Sequence, residues 1–457
     1  MKPERFKKFY SHAKTAVRIG LRLYHRKVQF HGYEEYVPDD VAFFHAANHQ
    51  NTFLDPILIA AFTKKTHQHN YVVRADVFNK STEWIFSLIR MYPIYRQRDS
   101  GSKSREKNER MFKIYADLLK NEESIIIFVE GNHSRKRRLR PIRKGIARMA
   151  HVALEEADYD LPMKIVPTGI HYHDHDGFYS DTLIVYGPPL DLAPYHDDFR
   201  EQPAKAFSRI SEDLFEPMQK VMIDIRSEEY HDTIDRLRAW LSPDLTREQG
   251  SNPEDLYQLF LREREIIAAM DQLEADDEEK LKMIASEVAT YEQALAKAKI
   301  KDESVARGAD SLGLILRDLF GLVLTLPVFL YGYLNHAIFL QLANRIPPKI
   351  AKDYIFHAAL RFGAGLLILP IFYLIQAGIV AAFTNWIWAA TYLITLIPMG
   401  RFATLWHHQF RRWQSRNRLA RLVRSGKDTL SGMRRSIKEK VWKQVKAVQE
   451  SVSSEAV

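Results

Sequence analysis

An α/β domain, preceded by an amphipathic N-terminal helix and followed by a helical arm and C-terminal transmembrane helices, is the fold class the sequence predicts. Three observations predict it. From Val28 to about Gly187, short apolar strands alternate with helical patterns, as in a domain with a largely buried sheet. Residues 200–305 are highly charged and helix-favouring. Residues 312–400 are strongly apolar, with one run about long enough to cross a hydrocarbon core. At 457 residues the chain exceeds the usual size of one domain. Five segments result: 1–27, 28–199, 200–310, 311–402 and 403–457.

The first segment reads as a basic amphipathic helix. Phe6, Phe9, Tyr10, Ala13, Val17, Leu21 and Tyr24 fall on one stripe, with Lys and Arg on the other faces. Such a helix can lie in a membrane interface or pack on its own domain. In the second segment, Val41–Phe44, Tyr71–Val73, Ile125–Val129, Ile165–Ile170 and Leu183–Tyr186 read as strands. Ser81–Ile89, Asn108–Leu119 and Pro141–Glu156 read as helices between them. The arm contains Glu254–Met270 and Glu278–Ala298, both at helical spacing and without Gly or Pro.

The fourth segment holds Leu319–Leu334, interrupted by Pro327, then Gly363–Phe383 and the shorter Trp386–Met399, with Thr384-Asn385 as a turn. Trp386, Trp388, Tyr331, Tyr333 and Tyr373 suit an interfacial aromatic belt. Arg345, Lys349, Lys352 and Arg361 make the intervening loop basic, like the tail after Arg401. The positive-inside rule places both on the cytosolic side, which four spans or two re-entrant pairs satisfy. Two or three spans, or a buried soluble core, are the alternatives.

The net charge of +9 is unevenly spread. Residues 1–27 carry about +8 and residues 401–457 about +10, so the middle carries about −9. An anionic surface met by both ends is expected, with membrane headgroups favoured over nucleic acid for a basic stretch beside apolar spans. The absence of cysteine excludes a disulfide framework, a thiolate nucleophile and a thiolate metal site. The first residues lack the apolar core of an export signal.

Two motifs carry chemistry. The first is Asn48-His49-Gln50-Asn51-Thr52-Phe53-Leu54-Asp55, between a strand-like and a helix-like run. An Asp beside a His fixes the ring tautomer and steadies the imidazolium while the other nitrogen takes a proton, so His49 and Asp55 are a candidate general-base pair. Asp55 precedes Pro56 and is expected to cap a helix starting there. Within one helix the six-residue step would turn the two side chains about 240° apart, so both are expected in the loop. The bland reading is a capping Asp and an ordinary polar His.

The second motif is Phe128-Val129-Glu130-Gly131-Asn132-His133-Ser134-Arg135, again after an apolar strand. Eight basic side chains follow within residues 135–148, among them Arg135, Arg138 and Arg140. Arg forks suit phosphate oxygens, although Lys136 and others read as solvated. His171, His173 and His175 alternate along a strand and could bind metal with Asp174 or Asp176, but no distant ligand cluster pairs with them, and no metal site is expected. No Gly-rich nucleotide loop or nucleophile elbow is evident.

Asn-His-Gln with a downstream Asp-Pro, then Glu-Gly after a strand, resembles the glycerophospholipid acyltransferases, the PlsC-like superfamily. The resemblance covers about residues 28–190. That family usually has four residues between His and Asp and a Phe-Pro-Glu-Gly-Thr-Arg-Ser motif. This chain has five, with Val129 and His133 at the Pro and Arg positions. The wider spacing, with membrane segments downstream, looks like the glycerol-3-phosphate/dihydroxyacetone-phosphate acyltransferase branch.

The resemblance implies an α/β acyltransferase domain at the cytosolic face of an integral membrane protein. Ile94-Tyr95-Arg96-Gln97-Arg98-Asp99 would be the motif whose Arg binds glycerol phosphate, with Arg96 and Arg98 both eligible. Pro167 and Thr168 would line the acyl-donor side, and Glu130, Gly131 and nearby Arg135, Arg138 and Arg140 would hold the phosphate. His49 would deprotonate a glycerol-3-phosphate hydroxyl for direct attack on acyl-CoA or acyl-carrier protein, with no cofactor, giving lysophosphatidic acid for phospholipid synthesis. Expected partners are a phospholipid membrane, the acyl donor and the glycerol phosphate acceptor, not nucleic acid. Sn-2 acylation of lysophosphatidic acid to phosphatidic acid is the first alternative. A non-catalytic lipid-binding membrane protein is the second.

Overall fold

The computed structural model describes residues 3–64, 68–78, 83–95 and 104–455. Two compact units form: Met1–Ile223 with Ala351–Phe362, and Asp224–Ile350 with Gly363–Val457.

The first unit is an eight-stranded sheet. Its strands are β1 (Lys27–His31), β2 (Ala42–Ala47), β3 (His69–Arg74), β4 (Met91–Ile94), β5 (Ser124–Phe128), β6 (Met163–Tyr172), β7 (Asp181–Tyr186) and β8 (Leu190–Asp191). They lie in the order β1-β7-β6-β2-β5-β3-β4, with β8 beside the start of β6. Every pair is parallel except β7 and β8 against β6. Parallel strands are covered on both faces and so read as unbroken apolar runs. All of β2 is buried, as is most of β6.

All five expected strands form; four are longer than expected by two to four residues, and the one expected at Ile125–Val129 is shifted by one, to Ser124–Phe128. Lys27–His31, Met91–Ile94 and Leu190–Asp191 were not expected, being half-polar, proline-bearing or too short to show alternation. Helices Glu83–Leu88, Ser104–Lys120 and Gly145–Glu155 occupy the expected places; Ser81 lies outside the described residues.

The N-terminal helix, Pro3–Tyr24, packs on the helix Leu54–Phe62 of this same unit. Leu21 is fully buried, and Lys14 donates to Thr63 Oγ1 (3.0 Å) and the Lys64 carbonyl (2.7 Å). Arg18 donates to the Ala61 carbonyl. Two of the cations expected on its solvated faces therefore dock it.

The second unit is helical. His231–Glu248, Leu256–Asp276, Glu278–Ala298 and Leu430–Glu455 pack together. Leu312–Leu324 and Leu326–Arg345 pack along Trp386–Arg424. The boundary drawn from the sequence near residue 402 falls inside that last helix, which runs unbroken for 39 residues. Nor is the basic tail loose. Arg434 reaches Asp302 (2.8 Å) and Asp244 (2.6 Å), and Arg416 reaches Asp310 (2.9 Å). Asn385 caps the helix Trp386–Arg424, accepting from the backbone N–H groups of Ile387 and Trp388, which makes Thr384-Asn385 the expected turn.

Among the described residues, two helical stretches are long and apolar enough to cross a membrane, Leu326–Ile350 and Tyr354–Phe383, with mean hydropathy 1.2 and 2.3. Polar side chains tie the apolar helices of the second unit: Tyr331 to Thr395 (2.7 Å) and Gln376 to the Asn335 carbonyl (2.9 Å).

Candidate active site

Strands β2 and β5 are parallel neighbours with Ala47 opposite Phe128. Their carboxyl ends therefore release Asn48-His49 and Val129-Glu130 side by side, at the edge where open α/β sheets bind ligands. Backbone bonds join the two loops: Val129 N–H donates to the Ala47 carbonyl (3.3 Å) and Ser134 N–H to the His49 carbonyl (2.9 Å). Asn48 is buried and pairs through its amide with both backbone groups of Ile170 on β6, so the first loop is held from the other side too.

His49 Nδ1 lies 2.7 Å from Asp55 Oδ2. The same oxygen accepts the backbone N–H groups of Gln50 and Asn51, each at 2.8 Å. Asp55 Oδ1 accepts the Tyr172 hydroxyl at 2.7 Å. A fully buried carboxylate surrounded by donors makes Nδ1 the protonated nitrogen of His49, which leaves the Nε2 lone pair for a proton. Phe128 stacks on the imidazole, with centroids 3.9 Å apart and planes at 14°. The ring is thus held by a carboxylate at one nitrogen and an aromatic face, the arrangement a general base requires.

Asp55 does not cap the helix. That helix runs from Leu54 to Phe62 with Phe53 at its start, and Asp55 sits in its first turn. Its carboxylate is committed to His49 and to the loop before it, which outweighs the disfavour for a helical residue ahead of Pro56. The five intervening residues are absorbed by a tight turn in which Leu54 N–H donates to the Asn51 carbonyl (2.9 Å) and Thr52 takes φ 41°.

The residues expected at the phosphate are differently disposed. Glu130 is buried and accepts from the Arg140 backbone N–H (3.1 Å) and guanidinium (2.6 Å). It anchors the basic loop, and a carboxylate so engaged is no anion ligand. Gly131, at φ 75°, closes a turn onto the Phe128 carbonyl (3.0 Å), a conformation an L side chain would strain. Arg135 forks onto Asp176 (2.8 Å for one arm) and lies 4.3 Å from the centre of the Tyr354 ring. Arg138 is half-buried. Arg96 and Arg98 lie outside the described residues.

Pro167 and Thr168, expected on the acyl-donor side, are in the sheet core. Thr168 is fully buried and lies 3.1 Å from His45 Nδ1, while the Pro167 carbonyl accepts the Gly187 N–H. Mid-strand placement between β2 and β7 turns them inward. The alternating histidines diverge: His171 Nε2 faces the Val221 carbonyl (2.9 Å), His175 Nε2 faces Gln50 Oε1 (3.2 Å) and His173 is exposed.

Sequence reasoning missed Tyr172 and Arg137. Tyr172 stood among the histidines that drew attention to that strand end. Burial, and next the Asp55 charge, push its phenol well above the usual range, so it remains a donor. Arg137 is buried and donates to the Tyr172 carbonyl (2.7 Å), buttressing the strand end that supports Asp55. In the run of basic residues nothing marked it as the one turned inward. Also missed was the segment Ala351–Phe362, which belongs to this unit despite lying far along the chain.

Residues 27–171 match the family model described as Acyltransferase. That span starts at β1, ends within β6 and contains both loops. Two curated yeast proteins match the chain as well. Glycerol-3-phosphate O-acyltransferase 2 of Saccharomyces cerevisiae is 32% identical over 113 residues, which is 24% of this chain and 15% of the yeast protein. Glycerol-3-phosphate O-acyltransferase 1 of the same yeast is 23% identical over 235 residues, 50% of this chain and 30% of that protein. Residues 27–171 form an acyltransferase domain. The solved 1-acyl-sn-glycerophosphate (LPA) acyltransferase PlsC of Thermotoga maritima is 18% identical, with TM-score 0.31, covering 47% of this chain and 83% of that one. The matches to the yeast relatives span under a third of their length. Within this acyltransferase domain, the pair His49–Asp55 is the arrangement able to activate a hydroxyl.

Proposed function

We propose that the chain transfers a fatty acyl group from acyl-CoA or acyl-carrier protein to glycerol-3-phosphate, releasing lysophosphatidic acid at a membrane. The single observation that carries the reading is the His49–Asp55 pair, 2.7 Å apart, with the Asp held by Tyr172 and two backbone N–H groups. His49 Nε2 takes the proton of an acceptor hydroxyl as its oxygen attacks the thioester carbonyl. The C–S bond breaks, and the imidazolium returns the proton to the departing thiolate. Asp55 steadies the imidazolium. Arg135, Arg138 and Arg140 bring positive charge to the acceptor phosphate; the ion-paired guanidinia retain further N–H donors. The names of the two yeast relatives support glycerol-3-phosphate as acceptor. The exposed apolar side chains of Leu326–Ile350 and of the part of the second stretch after Phe362 support membrane insertion, with the domain on the cytosolic side.

The test is radiolabelled product formation by the purified full chain in detergent, with palmitoyl-CoA or acyl-carrier protein as donor and glycerol-3-phosphate or lysophosphatidic acid as acceptor. Lysophosphatidic acid should form from glycerol-3-phosphate. The His49→Ala variant should lose about 10²–10⁴-fold in turnover while keeping its far-UV circular dichroism. Product from lysophosphatidic acid alone would move the enzyme to the second acylation. Silence with every donor would overturn catalysis altogether. Alkaline carbonate extraction should leave the chain in the membrane pellet.

A further inference from the structure

A remote piece of chain completes the site. Ala351–Phe362 follows the first apolar helical stretch and includes the start of the second, yet it packs into the first unit. Phe356 is its central contact. The ring lies 6.2 Å from Phe53, which sits in the loop between His49 and Asp55. It also stands edge-on to His133, with centroids 5.6 Å apart. His133 in turn stands edge-on to His49 at 5.7 Å. One aromatic ring therefore bridges both catalytic loops.

Contacts on either side hold the segment in place. Asp353 approaches His133 Nε2 at 3.6 Å and accepts the Ile355 N–H, which fixes the short turn that presents Phe356. Tyr354 covers the Arg135 guanidinium. Arg361 donates to the Asp176 carbonyl (3.3 Å), the residue whose carboxylate binds Arg135. Phe362 is buried and stands edge-on to Tyr24 at 5.6 Å. Aromatic rings thus meet the imidazole environment on two sides: Phe128 stacked on His49, and His133 backed by Phe356.

Such a wall has a chemical consequence, given the acyl-transfer reading on which this inference rests. His49 can activate water as readily as an alcohol. Water attack forms a C–O bond to the acyl carbon and breaks C–S; the water proton passes through the imidazole to the thiolate, and the acyl group is lost as free fatty acid. Bulk water outnumbers any acceptor, so only its exclusion favours transfer. We propose that Ala351–Phe362 is a wall of the active site, and that Phe356 keeps water from His49 so that the acyl group passes to the hydroxyl acceptor. Phe356 is a specificity-determining residue in this scheme. Asp353 is a positioning residue that acts through His133.

The experiment compares the full-length parent with Phe356→Ala and Phe356→Leu in detergent. Free palmitate and acylated acceptor are counted from labelled palmitoyl-CoA with saturating glycerol-3-phosphate. Opening the wall should raise the ratio of hydrolysis to transfer about tenfold in Phe356→Ala, and Leu should restore most of it by refilling apolar volume. A structural role alone would lower both products together and leave the ratio unchanged, which would overturn the proposal. Should Phe356→Ala fail to fold, the milder truncation Phe356→Val is read in its place, and an unchanged ratio there overturns the wall equally. Carbethoxylation of His49 by diethyl pyrocarbonate, followed by peptide mass spectrometry, separates this inference from the acyl-transfer reading. It needs no turnover. Faster modification of His49 in the truncating Phe356 variants (Ala or Val) than in the parent supports the wall even if the parent transfers nothing, and equal rates overturn it.

Discussion

Asp55 gathers four donors from two parts of the chain: the His49 imidazole and two amides of the same loop, and the Tyr172 hydroxyl from the end of β6. Tyr172 supplies the hydroxyl donor, and it stays protonated because burial and the Asp55 charge raise its phenol. Tyr172→Phe keeps the ring and removes that donor. The loss should lower stability by about 1.5–3 kcal/mol, the range for a hydrogen bond to a charged group, and reduce kcat with KM nearly unchanged. Steady-state kinetics and thermal melts check both. A second residue-scale prediction concerns His25. It is buried; Nδ1 meets the Thr182 hydroxyl (3.0 Å) and Nε2 has no partner among the described residues. Burial pushes its pKa down to about 4. Between that value and the ordinary His value near 6.5 the unfolded chain binds a proton that the folded chain refuses, so stability falls as pH drops through this window. The contribution is about 3 kcal/mol at full effect. His25→Gln should flatten the pH dependence of the thermal midpoint between about pH 6.5 and 4, and an unchanged slope would contradict it.

Among the elements, the turn between His49 and Asp55 decides whether the pair can meet. Thr52 there adopts φ 41° although it is β-branched. Its hydroxyl is buried without a partner among the described residues, so local comfort does not explain the conformation. Thr52→Gly should relieve the strain, raise stability by up to about 1 kcal/mol and preserve turnover. Thr52→Pro, whose ring holds φ near −65°, should displace the His from the Asp and lower turnover by about 10²-fold or more. Activity and melting of the two variants, measured side by side, test the turn. This strain was not legible in the sequence, whereas the loop itself was. Apolar runs such as Val41–Phe44 and Ile125–Val129 announced the strands that form at Ala42–Ala47 and Ser124–Phe128, and polar motifs straight after them announced the site. Lys27–His31 and Met91–Ile94 were hidden because edge and near-edge strands need little apolar patterning. The cap assigned to Asp55 failed because a side chain engaged by His49 is not available for capping. Thr168 was misplaced because a strand reading alone does not say which of its residues lie inside the sheet.

At the scale of the whole molecule, segments that look separate in sequence converge. Phe356, more than two hundred residues from His133, could not be joined to it by any local pattern. The basic C-terminal stretch was similarly opaque, since composition cannot distinguish a solvated Arg from one that meets a buried carboxylate. Arg434 is of the second kind: its guanidinium bonds Asp302, Asp244 and the Trp240 carbonyl, and Tyr291 donates to the same Asp302 (2.8 Å). Burial raises the Asp302 carboxyl even with Arg434 beside it, so the ion pair is what keeps two acids tolerable in the interior of the second unit. Arg434→Met should leave Asp302 with the Tyr291 hydroxyl but no cation, and Asp244 with Arg247 (2.8 Å) as its close partner, and destabilise that unit by about 3–5 kcal/mol, the usual effect of removing one partner of a buried pair. Adding Asp302→Asn and Asp244→Asn should recover part of the loss, because the uncompensated charge rather than the missing guanidinium dominates it. The helix Leu430–Glu455 carries Arg434 and packs on Leu256–Asp276 and Glu278–Ala298, so its release should appear as new tryptic cleavage between residues 430 and 455 under native conditions. Protection equal to the parent in Arg434→Met would mean that apolar packing of Leu430, Ile437, Val441 and Val445 holds the helix by itself.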